Sequence, residues 1–268
     1  MSKTGSLIIR FSLAVIWMTA AGSLSASESD QGSDLPGNQS APLPEHTAVY
    51  EVLRRGGKIG EVHASLSRND QGVWHYDTET VATARLARLL GAAAEESAYF
   101  VWRGENIQML TYRQVTRAAG RERFWQHELD WEENVSKTHT YEGDHVIELE
   151  PDVVDPLTLR LQLAALLADP DGRRSDHEFR VLERDEIEDQ QFFFRGTETV
   201  TVPAGCFDAV KMERFRREGS SRNYDSWHGE SFHWMPLRIL QTKDGREELD
   251  IRLTRTNLPL EDDCPASD

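Results

Sequence analysis

Apolar and polar residues alternate with a period of two along most of this chain. In three clear stretches the apolar positions are Val62, Ala64 and Leu66, then Trp125, His127, Leu129 and Trp131, then Leu249, Ile251 and Leu253. Successive side chains of a β-strand point to opposite faces, so this pattern is typical of antiparallel strands with one buried face. Helices do not alternate regularly with these stretches, so a parallel sheet is not expected.

Short segments rich in glycine, asparagine and aspartate separate the alternating stretches. They are Gly56-Gly57, Asn69 to Gly72, Arg103 to Asn106, Glu142 to Asp144 and Lys243 to Gly245. Such residues accept the backbone conformations that tight hairpin turns need. The spacing predicts one mainly β domain over residues 45–260 with about ten to twelve strands. A meander of that length has to curl or close to protect its edges, so we expect an antiparallel β-barrel or a strongly curled sheet.

Two helices interrupt the predicted strands. The principal helix is expected to start at Asp155 and Pro156, because aspartate caps helix starts and proline suits the first helical position. Its apolar stripe is Leu159, Leu163, Leu166 and Leu167, and it should end near Asp169-Pro170. This helix is expected either to plug the inside of the sheet or to pack on one sheet face. A short second helix is predicted over Ala84 to Ala94, with Leu86, Leu89 and Leu90 on one face.

The N-terminus has the features of a secretory signal peptide over residues 1–27. Lys3 and Arg10 precede an apolar run, Phe11 to Ala21, and small residues around Ser25 to Ser27 suit cleavage. A retained membrane anchor is the alternative, but the run is about half of the roughly 20 residues that a spanning helix needs. We therefore expect a periplasmic protein without a stable membrane anchor. Residues 28–44 are expected to form a flexible leader and residues 261–268 a C-terminal tail.

The net charge of the chain limits the classes of molecule that it is expected to bind. Its formal net charge is −16, and loss of the signal peptide, which carries two positive charges and no acid, gives −18. An acidic surface opposes nonspecific binding to nucleic acid and to anionic lipid head groups, and it favours solubility. The two cysteines, Cys206 and Cys264, can form a disulfide in an oxidising compartment, or they can remain separate thiols. The disulfide would contribute about 3–4 kcal/mol in the chain-entropy picture.

The densest cluster of functional side chains runs from Trp227 to Trp234 and contains His228, Glu230 and His233. A helical zinc motif needs histidines four residues apart, whereas these are five apart, and an odd offset on a strand sends them to opposite faces. We therefore predict no metal and no cofactor. Aromatic packing and ligand contact remain the two interpretations of the cluster. No Gly-x-Ser-x-Gly motif indicates a serine hydrolase, whereas a pair of acids for glycoside cleavage remains open because its test is a distance.

Many aromatic residues fall on the predicted strands. They either fill the inside of the sheet or line a ligand cavity, and they include Trp74, Tyr76, Tyr99, Phe100, Trp102 and Phe192 to Phe194. The candidate ligand-binding residues are Arg222, Tyr224, Trp227, His233, Trp234 and Trp125. Arg222 can hold a carboxylate or phosphate through its planar guanidinium, and a surface ion pair is the alternative.

Three segments carry a resemblance to a known family. They are Thr199 to Glu213, with its Pro203-Ala-Gly205 turn, Asp155-Pro-Leu-Thr-Leu and Met235-Pro-Leu-Arg-Ile. With these segments the chain resembles an exported bacterial family named domain of unknown function 3108, although Cys206 stands where a small polar residue is more usual. The resemblance implies an exported β-rich fold and no established activity.

The fold class and compartment favour noncatalytic binding or carriage of an amphipathic ligand, such as a lipid, a lipoprotein segment or a glycan. A continuous apolar cavity is then expected. One alternative is a cell-envelope hydrolase that uses carboxylates or the His228 to His233 region. The other is a scaffold that binds an envelope protein.

Overall fold

The computed structural model describes residues 41–262 and 264, except 86–87, 89–90 and 216–220. In this part of the chain fourteen strands form a single antiparallel sheet. The strands are β1 His46–Arg54, β2 Gly57–Arg68, β3 Trp74–Ala82, β4 Ala93–Arg103, β5 Asn106–Ala118, β6 Arg121–Asp130, β7 Val135–Thr140, β8 Gly143–Glu148, β9 His177–Leu182, β10 Ile187–Val202, β11 Gly205–Phe215, β12 Arg222–Gly229, β13 Pro236–Lys243 and β14 Arg246–Thr256. The mainly β, antiparallel fold is confirmed, with more strands than the ten to twelve expected.

The sheet curls so that its two edge strands approach each other. The strand order places β8 at one edge and β9 at the other, with β1 and β14 adjacent in the middle. After β8, the chain crosses to the other edge, where Val154 donates its N–H to the carbonyl of Arg180 at 2.9 Å and accepts the N–H of Leu182 at 2.8 Å. Arg184, which follows β9, contacts Glu142 in the β7–β8 turn at 3.0 Å. Among the described residues the sheet is therefore strongly curled, and its two edge strands do not pair with each other.

The principal helix, α1 Thr158–Ala168, lies inside this curl. Asp155 starts it, because its Oδ1 accepts the N–H groups of Leu157 at 2.7 Å and Thr158 at 2.8 Å, and its Oδ2 accepts the Thr158 hydroxyl at 2.8 Å. Its buried residues, which lie on every side of the helix, are Thr158, Leu159, Leu161, Gln162, Leu163, Ala164 and Leu167. A helix on one sheet face would show one apolar stripe, so α1 plugs the interior.

The second helix is shorter than predicted. Arg85 and Arg88 are helical, the apolar residues Leu86, Leu89 and Leu90 lie outside the described residues, and Ala93 and Ala94 already belong to β4. The predicted signal peptide also lies outside the described residues. Within the segment predicted as leader, Leu43 is only 2% exposed and belongs to the core, so the folded part starts before β1.

The predicted hairpin joins β10 to β11. Val202 pairs with Gly205 across the two-residue connection Pro203-Ala204. Gly205 has a φ of 149°, and a Cβ there would lie 2.8 Å from the ring of Phe207, so both the conformation and the space require glycine. A disulfide joins Cys206 to Cys264 and ties the end of the chain to the start of β11.

Burial inside the sheet increases from one end to the other. Val62, Thr80 and Ala94 pair across β2, β3 and β4 on the inner face, and each is partly exposed. Further along the same inner face, Leu66 is 1% exposed and Phe100 is fully buried. The interior is therefore closely packed at one end and accessible toward the other. Tyr99, which the sequence analysis grouped with the interior aromatics, is instead 43% exposed and stacks on His75.

Candidate functional site

Arg222 and Tyr224 lie at the start of β12 and point to the same face, since their offset is even. The Arg222 Nε donates to Glu248 Oε2 at 3.2 Å, which is the surface ion pair that the sequence left as the alternative to ligand binding. The guanidinium of Arg214 lies 5.7 Å from the centroid of the Tyr224 ring. Both predicted side chains thus contact charged groups of neighbouring strands.

Trp227 points to the opposite, outer face of β12 and is 5% exposed. Its indole N–H donates to Glu198 Oε1 at 2.6 Å. Lys211 and Arg238 lie 4.8 Å and 5.1 Å from the ring centroid. Two cations and a carboxylate therefore surround Trp227, and it does not share a face with Tyr224.

The histidine cluster at the end of β12 does not converge. His228 is buried, and its two ring nitrogens bond the carbonyl of Trp234 at 2.7 Å and the Ser226 hydroxyl at 2.9 Å. Burial lowers the pKa of His228 from 6.5 to about 4, so the ring is neutral at pH 7. His233 is exposed at a turn with a φ of 49°, and Arg173 lies 4.2 Å from the ring of Trp234. This region is packed hairpin structure with an exposed histidine.

In the described part of the chain, the one grouping of three potential metal ligands is Cys206, Asp262 and Cys264. Its two sulfurs are joined in the disulfide, and metals bind thiolates. The residues present therefore do not fit a metal ion. No helix among the described residues is both long enough and apolar enough to span a membrane.

Trp125 on β6 has a different environment from the other predicted residues. It belongs to a lateral row of inner-face residues in which Glu96 on β4 pairs with Gln114 on β5, and Gln114 pairs with Trp125. We name the interior cluster as Glu96, Tyr112, Gln114, Trp125 and Arg160. It joins three strands and helix α1, and it lies between the packed and the accessible end of the interior.

Arg160 and Glu96 are the charged pair of the interior cluster. Arg160 projects from the face of α1 that carries Leu163 and Leu167, both buried. Its guanidinium is 3.7 Å from Glu96 Oε2, while Glu96 Oε1 accepts the Gln114 side-chain N–H at 2.6 Å. Although its neighbours are buried, the Arg160 side chain keeps 36% of its surface accessible. The guanidinium of Arg160 therefore lies in a part of the interior that is partly accessible to solvent.

Three buried tyrosines surround this pair. Tyr50, Tyr76 and Tyr112 are at most 6% exposed. Burial raises the pKa of each phenol, well above 10 for Tyr50 and Tyr112, so all three remain protonated donors at neutral pH. Burial alone would lower the pKa of Arg160, but Glu96 and the tyrosines outweigh it and the pKa is raised. Arg160 is thus a permanent cation at this position.

A second pair of charges approaches from the β9 edge. Burial raises the pKa of Glu183, which follows β9, Arg214 opposes the increase, and Glu96 adds to it. Gln190 donates to Glu183 Oε1 at 3.0 Å. Burial lowers the pKa of His127 to about 4, so this ring is neutral at pH 7. Burial therefore shifts the pKa of an acid and of a base on this side of the interior.

Four buried polar atoms of the interior cluster have no hydrogen-bond partner among the described residues. They are Glu96 Oε2, the Tyr112 hydroxyl, Gln114 Oε1 and Trp125 Nε1. Buried polar groups are nearly always hydrogen-bonded, and each partnerless one costs about 1–3 kcal/mol. The interior cluster is therefore the candidate functional site of this fold.

Sequence reasoning predicted Trp125 but missed the other members of the interior cluster. The sequence did carry a signal for two of them. Glu96 is an even number of residues from Ala98 and Phe100, and Gln114 is two residues from Tyr112, so each points to the same inner face as its buried neighbours. A polar residue at an inward position of a strand is the observation that would have identified them. Arg160 was missed because the leucine stripe was assigned to a single helix face.

A separate pocket of 640 Å³ opens where α1 meets the β9 edge. Its lining includes Asp152, Gln162, Glu178, Arg180 and Asp189. Arg180 already bonds Glu150 at 3.0 Å, and Gln162 accepts the N–H of Ile107 at 2.8 Å. The lining of this pocket is mainly polar, so it does not match the apolar cavity that was expected from the sequence.

Comparison with solved structures supports the fold. The crystal structure of a beta-barrel-like protein of domain of unknown function DUF1849 from Brucella abortus aligns with a TM-score of 0.52 and 7% identity, over 82% of this chain and 100% of that chain. The MucA/MucB complex of Pseudomonas aeruginosa aligns with a TM-score of 0.30 and 13% identity, over 81% of this chain and 53% of that chain. The second likeness is too distant to carry an argument.

The search of curated proteins finds no match to this sequence. A family model matches residues 48–252, which include all fourteen strands except the ends of β1 and β14. The matched region also contains the three segments on which the resemblance was based. The chain therefore belongs to the family described as protein of unknown function (DUF3108).

Proposed function

We propose that this protein is exported to the cell envelope and binds an amphipathic ligand, without catalysis, inside its curled sheet. The observation that carries the proposal is the interior cluster, where four buried polar atoms have no hydrogen-bond partner among the described residues and Arg160 is partly accessible. Export rests on the N-terminal sequence of Lys3, Arg10 and the apolar run from Phe11 to Ala21.

The inner face beside the cluster supplies the apolar part of the site. Val62, Ala94 and Ile251 are inner-face residues that are only partly buried. Val62 pairs with Tyr50, which contributes to the surroundings of Arg160. A ligand with its polar group at the interior cluster can therefore place an apolar body along this wall toward the accessible end. Binding sites of this kind combine an apolar lining with a few placed polar groups.

Native mass spectrometry tests the proposal. The full chain, with its signal sequence, is produced in bacteria and isolated from the periplasmic fraction, and the intact protein is weighed under nondenaturing conditions. We expect a bound mass that disappears on denaturation. A protein that carries no ligand after this isolation, and takes none up from an envelope lipid extract, contradicts the proposal.

Two neighbouring alanines provide a matched pair of variants. Ala94 lies on the inner face of β4 and Ala93 lies on the opposite face, and both are partly exposed. Ala94→Phe puts a ring into the accessible part of the interior and should abolish the bound mass. Ala93→Phe adds the same ring outside and should leave the bound mass unchanged. Equal effects of the two variants would contradict an interior site.

A hydrolase that uses carboxylates is the second candidate, because burial raises the pKa of Glu183 and the charge of Glu96 adds to that increase. A general acid needs such a raised pKa. Each carboxylate, however, also has an arginine nearby, Arg160 for Glu96 and Arg214 for Glu183. Release of reducing sugar from envelope polysaccharide by the full chain, abolished by Glu183→Gln, would favour this candidate over binding alone.

A further inference from the structure

The four atoms of the interior cluster that lack hydrogen-bond partners include both donors and acceptors. Glu96 Oε2 and Gln114 Oε1 accept, Trp125 Nε1 donates, and the Tyr112 hydroxyl does either. The Gln114 amide is oriented by its own N–H, which donates to Glu96 Oε1 at 2.6 Å, so its oxygen is the free end. A ligand that satisfies all four atoms has to present both donors and acceptors.

The opposite charges of Arg160 and Glu96 disfavour both an anionic and a cationic ligand group. An anionic group would satisfy the donors of Arg160, Trp125 and Tyr112, but it would face the carboxylate of Glu96 and leave both free acceptors without partners. A cationic group would satisfy the acceptors but would face Arg160, whose pKa is raised and whose charge is therefore permanent. Like charges in a poorly solvated interior repel strongly.

A hydroxyl group both donates and accepts, so its hydrogen-bonding capacity matches both kinds of atom in the cluster. The 3.7 Å between the Arg160 guanidinium and Glu96 Oε2 is longer than a hydrogen bond, and a hydroxyl can accept from one and donate to the other. The indole of Trp125 adds a flat apolar surface in the same row as Gln114 and Glu96. We propose that the interior cluster binds a neutral, hydroxyl-rich group, a sugar ring, as the polar part of the ligand. This inference rests on the proposed function and names its ligand class.

Three amphiphiles with the same chain separate the ligand classes. Octyl glucoside, octyl sulfate and octylammonium are titrated, each below its micelle concentration, into the full chain, and binding is followed by isothermal calorimetry. We expect the glucoside to bind at least about tenfold more tightly than either charged amphiphile, because two or more hydrogen bonds distinguish them. Equal or tighter binding of a charged amphiphile overturns the sugar assignment and leaves interior binding intact. Failure of all three to bind contradicts both, and it is the result expected if the atoms bind only water.

Tyr112→Phe removes one hydroxyl and keeps the ring. That hydroxyl has no partner among the described residues, so its loss should leave the urea midpoint unchanged or raised. We expect octyl glucoside affinity to fall about threefold to tenfold. Tyr99→Phe on the exposed outer face is the matched control and should change neither quantity. Unchanged glucoside affinity in Tyr112→Phe would remove Tyr112 from the proposed site.

Glu96→Gln tests the charge argument directly. The glutamine keeps an acceptor oxygen but removes the carboxylate that opposes Arg160 and excludes anions. We expect octyl sulfate affinity to rise at least about tenfold, as one like-charge repulsion is lost. A preference for the neutral glucoside that is unaffected by this substitution would show that Glu96 does not determine it.

Discussion

Asp155 allows a quantitative test of how the interior is built. Its carboxyl group is fully buried at the start of α1 and accepts three hydrogen bonds, two from backbone N–H groups and one from Thr158. Burial, the largest cause, nevertheless raises its pKa from 3.8 to about 6. Asp155→Asn keeps an oxygen that can accept the Leu157 and Thr158 N–H groups but does not titrate, so comparison of the two proteins isolates this group.

The expected pH dependence follows from the raised pKa. Well below pH 3.8 the carboxyl group is protonated in both the folded and the unfolded chain, and it adds no pH dependence. Between 3.8 and about 6 the unfolded chain releases the proton and the folded chain keeps it, so rising pH favours unfolding. The difference between these two pKa values corresponds to about 3 kcal/mol in the free energy of unfolding, since each pKa unit is about 1.4 kcal/mol.

Urea denaturation at constant ionic strength measures this effect. The free energy of unfolding of the native protein, minus that of Asp155→Asn, should fall by about 2.4 kcal/mol between pH 4 and pH 7, which is most of the full effect. Asp70→Asn, in the exposed β2–β3 turn, controls for the loss of one negative charge. A difference that stays flat, or that increases with pH, would show that folding does not raise the pKa of Asp155. An increase would mean that the three hydrogen bonds hold the carboxylate ionised despite its burial.

Three further perturbations test the scaffold by urea denaturation. Replacing both cysteines with serine should lower the free energy of unfolding by about 3–4 kcal/mol, because the Cys206–Cys264 disulfide closes a loop with a sequence separation of 58; a loss below 1 kcal/mol would contradict this. Asp250→Ala should cost about 3–5 kcal/mol, since the fully buried carboxylate bonds both Arg238 and Arg252, whereas Asp70→Ala in the exposed β2–β3 turn should cost little. Gly205→Ala should cost about 1–3 kcal/mol through its φ of 149° and the close Phe207 ring, and an unchanged midpoint would show that the hairpin relaxes freely.

Local sequence patterns were sufficient to predict most strands and the start of helix α1. Alternation predicted strands such as β2, β6 and β14, because their apolar residues recur at every second position and belong to the core on the inner face. The start of α1 was predictable, because Asp155 and Pro156 act on the residues next to them. β8 has exposed residues at all but one position, so it has no alternating pattern to detect, and it accounts for part of the shortfall in the strand count.

The site was harder to predict because it depends on residues that are distant in sequence. The segment from Trp227 to Trp234 is dense in functional side chains, but its histidines and tryptophans point to different sides. Glu96, Gln114 and Arg160 are separated along the chain and meet only through the β4–β5 register and the position of α1. Composition along the sequence therefore did not identify the residues that converge in space.

The energetics of the interior cluster favour a role in binding over a role in stability. Replacing a buried ion pair by apolar residues of similar volume is often neutral or stabilising, and leucines already occupy the same face of α1 at Leu163 and Leu167. A leucine at position 160, with apolar residues at positions 96 and 114, would continue the packed core of Ala98 and Phe100. The chain instead retains an accessible arginine and four partnerless polar atoms at the border of that core. Departures from a well-packed core are expected where function requires them, so the interior cluster is the part of this fold whose chemistry the scaffold itself does not need.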